Sequence, residues 1–196
     1  MILKIRQVGE QVLRQKALPL SRDEILDRST QELIDSMRET MHDAPGVGLA
    51  APQVGFSLQL VVIEDQLEFI QKLPAQQVAE RERRPVPFQV LVNPKLTLLG
   101  TERAEFFEGC LSLAGFTAVV PRARKVRVDC LNERAELLTI DAEGWYARIL
   151  QHEIDHLGGI LYVDRMKARS FCTQDNYARY WKDQPIAEVI KPEKLS

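Results

Sequence analysis

His152 and His156 lie four positions apart in the segment Gln151-His152-Glu153-Ile154-Asp155-His156-Leu157. On a helix that spacing turns a side chain by about 40° around the axis, so both imidazoles point the same way, one turn apart. Two rings so placed can hold one metal ion. Glu153 follows the first ring directly and stands beside the ion without binding it, where it can take a proton from bound water. The chain has 3 histidines in all, and this segment uses two of them. Asp155, next to His156, is placed to orient an imidazole or cap a nearby donor.

A catalytic metal normally has a third protein ligand and one open corner. Elongated versions of this motif take a third histidine a little further on. Here Gly159 fits such a pattern, but the ligand position holds Tyr162. A downstream carboxylate is another solution, and Asn176, with Asp175 beside it, matches it poorly. His42 reads as a surface or capping residue at a helix end. Cys110, in Glu108-Gly109-Cys110-Leu111-Ser112, is the better candidate. Gly109 before it permits close backbone approach to a ligand. Cys130 and Cys172 read as small buried hydrophobes.

The elements that must carry these residues follow from periodicity. Leu33, Ile34, Met37 and Met41 predict a helix over 29–43, capped by Ser29 or Thr30 and stopped by Pro45-Gly46. Leu58 to Ile63 and Phe88 to Val92 read as buried strands, the second ended by Asn93-Pro94. Between them, 64–87 is a polar excursion with room for one or two helical turns. Lys125 to Cys130 alternates, with Val126, Val128 and Cys130 on one face, as a half-buried antiparallel strand does. Glu136 to Ile140 can pair with it. The histidine helix runs from about Glu143 to Leu157, with Ala147, Leu150, Ile154 and Leu157 as its apolar stripe and Gly158-Gly159 as its stop. Phe171, Tyr177, Tyr180 and Trp181 make an aromatic tail that packs on the body. The mixture predicts an α+β fold.

Composition bounds the rest. At 196 residues, 45% hydrophobic and 28% charged, one domain spanning 1–196 is expected. A net charge of −2 gives no electrostatic case for nucleic acid or an anionic membrane. No apolar run approaches the ~20 residues of a membrane span. The N-terminal residues lack the pattern of a signal or transit peptide. An odd count of 3 widely spaced cysteines points to a reducing compartment, and the cytoplasm is the expectation.

The segments Gly46-Val47-Gly48-Leu49-Ala50-Ala51-Pro52-Gln53, Glu108-Gly109-Cys110-Leu111-Ser112 and Gln151-His152-Glu153-Ile154-Asp155-His156-Leu157, in that order, make the chain resemble the peptide deformylases. The resemblance extends from the Ile5–Leu13 region to Ile160-Leu161-Tyr162-Val163-Asp164. It implies a compact single α+β domain with antiparallel sheets packed around a central metal-binding helix. It implies a divalent metal held by Cys110, His152 and His156 with water as fourth ligand: Fe(II) natively, with Zn(II), Ni(II) or Co(II) able to occupy the site. The implied reaction removes the formyl group from the N-terminal formylmethionine of newly made polypeptides and releases formate. Glu153 then handles the water's proton, while the Gln53 side chain and the Leu111 N–H face the growing oxyanion. Val47 and Gly48 pair with substrate backbone, and Trp145 and Ile149 line the methionine pocket. Glu108 and Arg122 are expected to form an ion pair that steadies the Cys110 segment. Nascent formylmethionyl chains are the implied partners, with transient ribosome contact, and neither nucleic acid nor membrane is bound directly. The chain departs from many bacterial members at Leu113-Ala114-Gly115-Phe116, in the length of the 64–87 excursion and in its tail. With Gly144-Trp145, these features resemble the organellar-type branch. The rival readings are a zinc endopeptidase, which lacks its third ligand here, and a binding module with structural zinc, which lacks a fourth.

Overall fold

The structure, a computed structural model, describes residues 1–189. The short helix α1 (Arg22–Leu26) and the long helix α2 (Arg28–Asp43) precede strand β1 (Gly48–Ala50) and strand β2 (Leu60–Asp65). The 64–87 excursion forms two short helices, α3 (Leu67–Ile70) and α4 (Ala75–Glu80). Then come β3 (Val86–Leu98), β4 (Arg103–Glu108), β5 (Phe116–Ala123), β6 (Lys125–Leu131) and β7 (Leu137–Glu143). The long helix α5 (Gly144–Leu157) carries both histidines, and β8 (Cys172–Thr173) begins the tail. An antiparallel sheet of order β1-β2-β3-β6-β7 and a smaller one of order β4-β5-β8 surround α5, so the α+β expectation holds.

Burial explains the two kinds of strand. In β2, Val61 and Ile63 join the core under α5, whereas Leu60 and Val62 join the core under α2. A strand covered on both faces has no solvent side and reads as an unbroken apolar run. β6 is covered on one face only, and its residues alternate exposed and buried from Lys125 to Cys130.

Several boundaries differ from expectation. The cap of α2 is Asp27, whose side chain accepts from the Ser29 N–H at 2.8 Å; neither Ser29 nor Thr30 serves. β3 does not end at Asn93-Pro94 but runs through it. Asn93 adopts φ 52°, and the register with β6 shifts between Val92 and Lys95, leaving an extra residue on β3. The Asn93 side chain holds this bulge to the N-terminal segment, accepting from the Leu20 N–H (2.9 Å) and donating to the Leu20 carbonyl (2.7 Å). The resemblance implied more than one sheet, as observed, but periodicity placed neither β4 nor β5 of the second one. In β4, Phe106 and the buried Phe107 sit among charged residues, and β5 contains Pro121, so neither strand alternates cleanly. The aromatic tail does pack on the body: Tyr177 lies 4.6 Å from Phe107 between ring centroids, and Phe171 stacks on Phe116 at 5.2 Å.

Gln151 docks α5 onto β5 much as a strand would. Its Oε1 accepts from the Ala123 N–H (3.0 Å), and its Nε2 donates to the Ala123 carbonyl (2.8 Å). At the start of α5, Gly144 has φ +61°, and a Cβ there would come within 2.6 Å of Glu82 Cβ and 2.9 Å of the Arg81 carbonyl. Gly144→Ala therefore combines left-handed strain with a backbone clash, and should lower stability by about 1–3 kcal/mol. A fall in the midpoint of denaturant unfolding checks this.

Candidate metal centre and active site

Helix α5 sets three side chains in one row. Arg148, His152 and His156 recur at four-residue intervals and face the smaller sheet. β4 ends at Glu108, and the chain turns at Gly109-Cys110 to bring the thiol over that row. One sulfur and two imidazole nitrogens, from Cys110, His152 and His156, lie within 4.8 Å of one another. Cys110 Sγ is 3.3 Å from His156 Nε2. A thiolate with two imidazoles is a donor set suited to a divalent transition cation. Glu153 is 5% exposed, and its Oε2 has no hydrogen-bond partner among the described residues. A buried carboxylate oxygen without a partner, beside such a donor set, fits a bound cation and its water. The residues present therefore fit the implied metal.

A buried carboxylate organises the donors. Glu108 Oε1 accepts from Arg122 Nε (2.9 Å) and Arg148 Nη1 (2.6 Å). Its Oε2 accepts from Arg122 Nη2 (2.9 Å) and His152 Nδ1 (3.0 Å). A carboxylate offers about four lone-pair sites, and all are taken. Because it can only accept, His152 carries a proton on Nδ1, which leaves Nε2 as the nitrogen directed at a cation. Burial alone raises the Glu108 carboxyl, but the hydrogen bonds from His152 and Arg122 outweigh it and hold it well below the usual carboxylate range. Burial lowers His152, but bonds to Cys110 and Glu108 win and raise it well above the ordinary imidazole. His156 goes the other way, lowered by burial and by the charge of His152. Burial pushes Glu153 up to about 7.

The Glu108–Arg122 pair expected from the sequence is present. Asp155 does not orient an imidazole. It pairs with Arg122 and, bidentately at 2.6 and 2.7 Å, with Arg165, because its side chain leaves the row of donors. His42 is tied to Glu64 at the surface.

Gln53 is 1% exposed. Its Oε1 accepts from the Ala50 N–H (2.8 Å), which turns Nε2 toward Ser112 Oγ (3.3 Å) and Cys110 Sγ (3.5 Å). β1 is an edge strand of its sheet. The Val47 carbonyl accepts from the Glu64 N–H on the β2 side (3.1 Å). By antiparallel alternation the Gly48 N–H and C=O face the open edge. A Cβ on Gly48 would meet Glu153 Cδ and Cγ at 2.6 Å, so β1 and α5 can approach this closely only with glycine there. At Gly109 a Cβ would have only ordinary contacts, the nearest at 3.6 Å.

A cavity of about 450 Å³ opens over these groups. Val47, Gly48, Gln53, Gly109, Cys110, Leu111, Trp145, Ile149, His152 and Glu153 all line it. His156 is buried beneath. Arg148, Phe107 and Gln174 line it too, and the sequence reading missed all three. Arg148 left a signal: a charged residue four positions before His152, amid the apolar Ala147, Ile149 and Leu150. Gln174 left none, because its place depends on how β8 pairs with β5.

A family model described as Polypeptide deformylase matches residues 2–171. Peptide deformylase 1A, chloroplastic, of Solanum lycopersicum is 45% identical over 183 residues, 93% of this chain and 64% of that one. Peptide deformylase 3 of Streptomyces avermitilis is 45% identical over 186 residues, 95% of this chain and 80% of that one. The chain spans just under two thirds of the length of the tomato relative and of an Arabidopsis thaliana relative, at 64% and 65%. A class I type b peptide deformylase from Acinetobacter baumannii, solved with Met-Ala-Ser bound, superposes with TM-score 0.75 and 33% identity, covering 85% of this chain and 99% of that one.

Glu108→Ala takes a carboxylate from two guanidiniums that are each only 3% exposed, leaving Arg122 with Asp155 alone and Arg148 with no anionic partner among its hydrogen bonds. The expected loss of stability is about 3–5 kcal/mol, read by chemical denaturation of the metal-free protein.

Proposed function

This chain belongs to the peptide deformylase family, and from that premise we propose that it hydrolyses the formyl group from the N-terminal formylmethionine of new polypeptides, releasing formate. The observation that carries the reading is the convergence of Cys110, His152 and His156 beside the unpartnered Glu153 Oε2, in a cavity bounded by an open strand edge. The region 1–196 acts in this reading as one catalytic domain.

Cys110, His152 and His156 would hold the cation, Fe(II) natively, with Zn(II), Ni(II) or Co(II) compatible with the same donors. Bound there, the cation supplies Lewis-acid polarisation and lowers the pKa of water. The protein's own groups do the rest. Water adds to the formyl carbon, and Glu153 takes its proton. The same carboxyl passes that proton to the departing amide nitrogen as the C–N bond breaks, leaving formate and a free amine. Burial suits Glu153 to both halves of the transfer, because a carboxyl raised to about 7 can hold or release a proton near neutral pH. Gln53 Nε2 and the Leu111 N–H are the donors assigned to the oxygen on which charge grows. Gln53 is preorganised for this by the Ala50 N–H, which fixes its amide orientation.

Substrate backbone adds to the open edge at Gly48, flanked by Val47, with Gly109 opposite. This is strand addition, with backbone bonds for affinity and a side-chain pocket for selection. Trp145 and Ile149 form the apolar wall for the methionine side chain. That the Acinetobacter neighbour was solved with Met-Ala-Ser bound supports a short methionyl peptide as the ligand. Nascent formylmethionyl chains are the partners, met through transient contact with the ribosome in the cytoplasm. Among the described residues no helix is long and apolar enough to cross a membrane.

Anaerobic loading with Fe(II), followed by formate release from formyl-Met-Ala-Ser, tests the reading. Cleavage of internal peptide bonds with no formate would overturn it. Glu153→Ala should keep its metal while kcat falls about 10²–10⁴-fold, the usual size of a general acid–base contribution. Cys110→Ala should lose the cation or hold it far more weakly, as measured by metal analysis after equilibrium dialysis.

A further inference from the structure

Arg148 is a guanidinium at 3% exposure on the cavity wall, one turn before His152 on α5. Besides Glu108 Oε1, its Nη1 donates to the Val120 carbonyl (2.9 Å), and its Nη2 donates to the Ala104 carbonyl (2.6 Å). These acceptors belong to β4 and β5. One side chain thereby ties the helix of the imidazoles to the sheet that delivers Cys110. Its guanidinium also lies 5.2 Å from the Phe106 ring and 5.7 Å from the Trp145 ring.

Charge balance does not require it. Glu108 already has a bidentate partner in Arg122, and Arg122 gains a second carboxylate in Asp155. What Arg148 adds is geometric. A fork from Arg122 defines one edge of the carboxylate but leaves a lone pair on each oxygen. Arg148 fills that place on Oε1, so the place left on Oε2 is the one His152 Nδ1 uses. The carboxylate is then held from both sides, and with it the plane of the His152 ring.

We propose that Arg148 is a positioning residue: through Glu108 it fixes the orientation of His152 and so sets the affinity and geometry of the cation site. This rests on the assignment of Cys110, His152 and His156 as ligands in the proposed function.

The test compares the full-length wild type with Arg148→Met and Arg148→Lys, using Co(II) alone as the probe. Methionine keeps an unbranched apolar stem against the cavity. Lysine keeps the charge and can reach Glu108, but cannot fork to Val120 and Ala104. Chelator competition should show Co(II) affinity about tenfold weaker in Arg148→Met, with a shifted visible ligand-field spectrum and an intermediate result for Arg148→Lys. With formyl-Met-Ala-Ser, kcat should fall while KM stays within about twofold, since the loss lies in the reacting geometry rather than in uniform substrate binding. A residue that merely supports the fold would lower the melting temperature and leave the spectrum of the bound ion unchanged. Wild-type Co(II) affinity and spectrum in Arg148→Met overturn the proposal. If that variant does not fold, the same result in Arg148→Lys overturns it, and a weakened, shifted site there supports it. A wild type that binds no Co(II) overturns both this inference and the ligand assignment. One that binds Co(II) but releases no formate overturns only the deformylase reading.

Discussion

A carboxylate sealed from water, with every lone pair engaged, is the constraint on which this molecule depends. Glu108 lies 5% exposed among Arg122, Arg148 and His152. Burying such a group carries a heavy desolvation cost, which paired buried charges often fail to recover. Its return is spatial. The three partners come from β5 and α5, while Glu108 itself lies two residues before Cys110. Satisfying one anion therefore sets a strand, a helix and a thiol in mutual register before any cation arrives.

Helix α5 can serve this arrangement because it has two different faces. Ala147, Leu150 and Leu157 pack into the apolar core against the five-stranded sheet. Arg148, His152 and His156 turn to the smaller sheet. Glu153 falls between the two faces, close against Gly48. The position that handles the proton is thus also the position where the helix meets the open edge, and the absence of a side chain at Gly48 makes that meeting possible.

How much of this could be read from the sequence depended on the range of the interaction. Helix α5 and its residues were legible because a four-residue interval acts locally. So was β6, whose alternation reports a single covered face. Strands β4 and β5 were not legible. Their residues are chosen for contacts with α5 and the tail, so Arg122 and Glu108 occupy places where a simple strand would carry apolar residues. The continuation of β3 was hidden for another reason: Asn93-Pro94 signals a stop, and only the distant partner Leu20 converts it into a bulge. The Cys110 segment became legible through resemblance of whole motifs. Arg148 was visible as an oddity in an apolar stripe, but its purpose needed the two carbonyls it reaches across space.

The tail lies beyond residue 171, where the match to the family pattern stops. Yet Gln174 lines the cavity, and Tyr177 covers Phe107, which lines it too. The cavity wall is therefore completed by the tail at Gln174 and backed by the excursion, whose Arg81 guanidinium lies 4.8 Å from the ring of the lining residue Trp145. Neither supplies a donor to the cation. Drift in these segments can reshape what the mouth of the groove admits while the reactive interior stays the same, so kindred chains can diverge in taste without relearning the chemistry.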